Sequence, residues 1–127
     1  MSYSAGLNIL EPQVINRERI QDLINSFSSI GASENGSVSR RGFSDEDIYA
    51  RNFFIKTLKD LGLKIRIDTA GNIIARLDGH DNNLPPIVTG SHLDTVPKGG
   101  KYDGTLGVIA GIEIAFFLQE NDIKLNR

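Results

Sequence analysis

The chain has no cysteine among its 127 residues. Disulfides and thiolate metal sites are therefore excluded, and any metal would be held by His, Asp and Glu. An excess of one charge is also lacking: 14 basic against 16 acidic residues leave a formal charge of -2, without a polyanion-binding bias. Nucleic acid is not an expected partner. Arg40 and Arg41 form a basic pair, but no basic face or interleaved aromatics surround them, so they read as solvated surface. No apolar run approaches the ~20 residues of a membrane span, so no membrane partner is expected. Residues 1–11 lack a basic n-region and a long apolar h-region, which makes a cytoplasmic protein the default.

What is present is ordinary for a soluble domain, 39% hydrophobic and 24% charged, long enough for one real core with little spare stability. Ile20, Leu23, Ile24, Phe27 and Ile30 recur at helical spacing, which predicts a helix over Arg17–Ser29, with Asn16 as N-cap and Gly31 as stop. The Ser-, Gly- and Asn-rich stretch 32–42 has no apolar periodicity and reads as a long surface loop. Ser44 with Asp47 three residues later is a capping signal. Ile48, Phe54, Ile55, Leu58 and Leu61 then give a second helix its buried stripe, ended by Gly62. Leu63, Ile65 and Ile67 alternate with polar residues, and a turn at 69–72 joins them to the apolar run 73–77, predicting a hairpin. Ile87-Val88-Thr89 reads as a short strand ended by Gly90, and 105–120 as a helix carrying Val108, Ile109, Ile112, Ala115, Phe116 and Leu118. Ile123-Lys124-Leu125 begins another alternating pattern.

The chemistry lies in the loop 90–104. His92 follows the short strand, at the end of a strand where open α/β sheets place ligand sites. Asp94, two residues on, would project to the same side in extended backbone and could orient the imidazole. Asp103 stands just before a helix amino terminus, where it is either an N-cap or a metal ligand. A His-x-Asp in a loop is more often an ordinary polar pair than a metal site. His92 and Asp103 also supply only two of the three or four ligands that a zinc site needs. His80, in a polar turn, reads as solvent-exposed, and Glu113 as a solvated or helix-packing residue rather than a ligand. Gly99, Gly100 and Gly104 serve the loop backbone, and Lys98, Lys101 and Tyr102 read equally as substrate contacts or surface.

Gly90-Ser91-His92-Leu93-Asp94-Thr95-Val96, followed by Gly99-Gly100-Lys101-Tyr102-Asp103-Gly104 and Gly107-Val108-Ile109-Ala110-Gly111-Ile112-Glu113, resembles the metal-binding signature of the M20 amidohydrolases. The similarity is to the branch of N-carbamoyl-L-amino acid hydrolases, allantoate amidohydrolases and β-ureidopropionases. Ile15-Asn16, Arg40, Phe43-Ser44 with Asp47, Ala50-Arg51 and Asp68-Thr69-Ala70-Gly71-Asn72 are similar to that branch too. The resemblance implies an α/β fold, the first part of a zinc-peptidase-like catalytic domain with a mixed sheet covered by helices. Residues 1–127 would be its amino-terminal portion, with the rest of that domain and the lid/dimerisation domain outside the chain.

The same resemblance implies His92 as terminal ligand of one metal, Asp94 as the residue that orients it, and Asp103 as a carboxylate bridging two divalent ions, Zn, Mn or Co. Two cations ~3.5 to 4 Å apart need anionic oxygens between them, and together activate water and polarise an amide carbonyl. The implied reaction is hydrolysis of a carbamoyl or ureido C–N bond in a small molecule by a homodimeric parent. The family's paired glutamates and later His ligands are not in this chain, which is therefore expected to be inactive alone. A metallopeptidase of the same clan is the alternative enzyme, and a non-catalytic folded fragment is the alternative outside enzymes.

Overall fold

The computed structural model describes residues 15–127, so the stretch 1–11 read above for a leader lies outside it. Helix α1 spans Arg17–Ser29; the Asn16 side chain accepts the Arg19 N–H at 3.0 Å, satisfying one of the donors that a helix start leaves free. Leu23, Ile24 and Phe27 are buried on one face. Gly31 follows with φ +83°, and a Cβ there would lie 2.4 Å from the Ser39 carbonyl oxygen, so glycine is required.

Helix α2, Asp45–Asp60, starts on reciprocal caps. Ser44 accepts the Asp47 N–H, and the Asp47 carboxylate accepts the Phe43 N–H at 2.9 Å, one residue earlier than in the usual box. Its inner face differs from the expected stripe. Ile48 is 51% exposed, while Ala50 and Leu58 are buried and Phe54 and Leu61 pack against the core. Ile48 sits about 100° around the helix from Asp47, whose capping role holds that neighbour toward the core.

Strands β1, Lys64–Ile67, and β2, Ile73–Arg76, pair antiparallel with Ile65 opposite Ala75. Asp68 closes the turn, its carboxylate accepting from the Ala70 and Asn72 N–H groups and the Asn72 side chain. These bonds, the Asn72 side chain first, hold the Asp68 carboxyl below its ordinary pKa. Helix α2 covers the hairpin, and Ile65 and Ala75 reach the core.

Helix α3, Thr105–Glu120, packs its buried Val108, Ile109 and Ile112 against α1. Arg19 of α1 binds Glu113 of α3 through Nε at 2.7 Å and Nη2 at 2.9 Å. The same guanidinium reaches Glu120 and lies 4.1 Å over the Phe116 ring. The Asn16 N–H adds a 2.8 Å bond to Glu113, which is 3% exposed and so packs rather than being solvated.

Two expected strands are not formed among the described residues. The segment 86–90 has no ladder partner, with Ile87 and Val88 70% and 84% exposed. Apolar alternation predicts a strand only where a neighbouring strand pairs with it. Residues 123–125 likewise form no strand; the Leu125 and Asn126 carbonyls instead accept the His80 and Asp81 N–H groups. His80 itself is exposed, as expected.

Phe43, 95% exposed, holds φ +67°, a left-handed conformation that β-carbons oppose. Because the ring packs against nothing that would be lost, Phe43→Gly should leave stability unchanged or raise it by up to about 1 kcal/mol. A urea midpoint shifted downward would contradict that strain.

Candidate metal centre

Alternation builds the loop that carries the candidate ligands. Leu93 and Thr95 point inward and are buried, while His92 and Asp94 between and beside them face out. The inner pair is anchored: the Thr95 N–H donates to the Arg40 carbonyl at 2.7 Å, and the Thr95 hydroxyl to the Val38 carbonyl at 3.1 Å. Val38 and Gly99 exchange two backbone bonds, at 2.9 and 2.8 Å, which draws the loop back onto 38–40.

His92 Nδ1 lies 2.9 Å from the Asp94 backbone oxygen and 3.5 Å from its carboxylate. The orienting contact is therefore first to the carbonyl of Asp94. A carbonyl oxygen only accepts, so a bond there places a proton on Nδ1, and Nε2 is the ring nitrogen on the outer side. Asp103 Oδ1 is the carboxylate oxygen on that side, 3.9 Å from Nε2.

Asp103 is not a helix cap. The N-cap of α3 is Gly104, which has φ +68° and no side-chain capping bond. Among the described residues, the Asp103 side chain, 70% exposed, takes no hydrogen bond, and it does not cap α3. Gly104 instead gives room for the imidazole: a Cβ there would fall 2.4 Å from His92 Cε1 and 2.6 Å from the His92 carbonyl oxygen.

The donor set fits a divalent ion of the zinc or manganese kind, one imidazole nitrogen and one free carboxylate. Ligand atoms ~2.0–2.1 Å from one ion at a tetrahedral angle lie ~3.4 Å apart. The 3.9 Å separation is close to that span. Among the described residues, no group of three or more His, Cys, Asp or Glu is gathered to hold a metal. His92 and Asp94 open onto a trough lined also by β2, Ile87, Val88 and Ile114.

Arg40 is the residue whose role the sequence concealed. Read as solvated surface, it is 1% exposed and sits under the loop. A signal existed in the alternation of Val38 and Arg40 with the less buried Ser37 and Ser39, which marks an inward-facing pair. Burial lowers the Arg40 pKa, while Asp47 and Asp94 oppose that shift.

No family model matches the chain. The sequence is 35% identical over 122 residues to a ureidoglycolate hydrolase of Arabidopsis thaliana, covering 96% of this chain and 26% of that protein. It is 37% identical over 109 residues to an N-carbamoyl-L-amino-acid amidohydrolase of Pseudomonas sp. (strain NS671), covering 86% and 26%. The fold overlays a hydantoinase/carbamoylase family amidase from Burkholderia ambifaria with TM-score 0.85 and 37% identity, over 88% of this chain and 28% of that one. The chain is related to the hydantoinase/carbamoylase amidohydrolases. It spans about a quarter of the length of those curated relatives, and the α/β fold is part of the larger amidohydrolase fold. Among the described residues, no helix is long and apolar enough to cross a membrane.

Proposed function

We propose that this chain is the metal-binding portion of a hydrolase that cleaves carbamoyl or ureido C–N bonds, as in N-carbamoyl-L-amino acids or allantoate. One observation carries the reading: His92 Nε2 faces Asp103 across 3.9 Å, and Asp103 serves no cap. In this reading His92 and Asp103 would hold divalent ions, Zn, Mn or Co, His92 as a terminal ligand and Asp103 as a carboxylate shared by two of them, and Asp94 would position the imidazole. Such an ion pair supplies Lewis acidity and a water of lowered pKa when bound. The chain's own residues hold the imidazole proton on Nδ1 through the Asp94 carbonyl, and Gly104 leaves the ring its place.

Two ligands do not complete such a site, so the reading makes the 127 residues alone inactive and assigns turnover to a longer, cytoplasmic, homodimeric protein. The relatives named for small carbamoyl and ureido compounds support that substrate class. The test is Asp103→Asn in the whole protein that contains this chain. Asn has one good oxygen acceptor and no charge, so it cannot satisfy two cations. Elemental analysis should show metal content falling from two per chain toward one or none, with turnover of an N-carbamoyl amino acid lost and the metal-free melting temperature almost unmoved. Unchanged metal content with normal turnover rejects the site, and a substrate panel that favours dipeptides promotes the peptidase alternative.

A further inference from the structure

Arg40 donates Nε to the Leu93 carbonyl at 2.7 Å, Nη1 to the Phe27 and Ile30 carbonyls at 2.8 and 2.9 Å, and Nη2 to the Thr105 hydroxyl at 3.1 Å. Its backbone N–H donates to the Thr95 hydroxyl at 2.9 Å. These partners belong to three separate segments: the end of α1, the loop beside His92, and the first residue of α3. Leu93 adjoins both His92 and Asp94, and Thr105 stands two residues beyond Asp103.

No ion pair among the described residues includes Arg40. A buried guanidinium without a bound carboxylate is expensive, and apolar replacements of buried ionic groups are often neutral or stabilising. Stability alone is a poor reason for this residue. Its planar fork can hold several acceptors at fixed angles, which neither lysine nor an apolar side chain does. We infer that Arg40 is a positioning residue that ties both ends of the 92–103 loop to the end of α1 and so sets the separation of His92 and Asp103.

This inference rests on the metal-site reading for its purpose but not for its first test. That test is hydrogen exchange of the 127-residue chain and its Arg40→Lys variant, with Arg40→Met as the apolar comparison should the lysine form not fold. Exchange across 91–105 should accelerate about tenfold or more, while α2 and the hairpin keep wild-type rates, since local opening need not follow global unfolding. Mn2+ titrated into the whole protein that contains this chain should bind about 10–100-fold more weakly in the Arg40→Lys form, the usual effect of losing a residue that orients ligands. Exchange unchanged over 91–105, raised equally in every element, or unmeasurable because neither variant folds would overturn the positioning role. Wild-type whole protein that binds no Mn2+ while the local exchange result holds would count against the metal reading and leave the positioning role standing.

Discussion

Gly104→Ala should abolish Mn2+ binding at this loop in the whole protein that contains the chain and lower stability by more than about 2 kcal/mol, a larger effect than any other single methyl added to the loop. The left-handed φ of +68° costs a residue with a Cβ ~1–2 kcal/mol by itself. The added carbon would then sit 2.4 Å from His92 Cε1, 2.5 Å from Nδ1 and 2.6 Å from the His92 carbonyl oxygen. A ring could swing aside from the first two contacts, at the expense of its bond to the Asp94 carbonyl. The carbonyl cannot, because it belongs to a backbone anchored through Leu93 and Thr95. The loop must therefore move as a unit, and the 3.9 Å approach of His92 to Asp103 is lost. Gly100→Ala is the matched control, since a Cβ there meets nothing within 4 Å. Calorimetric titration with Mn2+ and urea unfolding of both variants check the expectation; an alanine at 104 that binds as well as wild type would mean that the loop is far softer than its anchors imply.

The second large effect belongs to Glu113. Removing one member of a buried pair leaves the other uncompensated, so Glu113→Ala should cost about 3–5 kcal/mol, moderated because Arg19 keeps Glu120. Its pH dependence is distinctive. Burial pushes the Glu113 carboxyl up, but the Arg19 hydrogen bond and the Asn16 N–H outweigh it and hold the pKa below the ordinary 4.5. A depressed carboxylate pKa means that the stabilisation is complete above about pH 4.5 and is lost as pH falls through the folded value. Urea midpoints of wild type and Glu113→Ala should thus differ widely at neutral pH and converge as pH falls below 4.5 through the lowered folded value. A gap that stayed constant through that fall would assign the loss to packing instead of to the ion pair.

Much of the fold was legible because it depends on local chemistry. The first two helices begin and end where caps and glycines predict, α3 spans the range that its apolar periodicity marks, and the hairpin follows its alternation around the Asp68 turn. What escaped prediction depends on partners distant in sequence. Ile87-Val88-Thr89 has the composition of a strand, yet pairing is a property of two segments, and no neighbour is formed among the described residues. Ile48 and Phe54 are equally apolar, yet Ile48 faces solvent while Phe54 packs against the core. Arg40 shows the same limit at the site. Its acceptors come from residues 27, 30, 93 and 105, a convergence that no local window contains. His92, Asp94 and Asp103, by contrast, lie within one loop, where spacing marked them as candidates and the family resemblance alone implied their metal roles. Only the fold could show that Asp103 is free of capping duty and that the Asp94 carbonyl is the nearer partner of His92.

The bare segment 86–90 has a consequence for handling the protein in solution. An extended apolar run whose N–H and C=O groups lack partners is a template on which another chain can stack, and such edges seed fibrils. Its reach is short, because Pro85 and Pro86 remove two amide donors immediately before Ile87. Gly90, with φ +157°, breaks the apolar run after Thr89. These flanking residues act as gatekeepers that leave three residues to pair, fewer than the five to seven or so of a typical aggregating window. In concentrated solution the two prolines thereby limit how far another chain can pair along this segment.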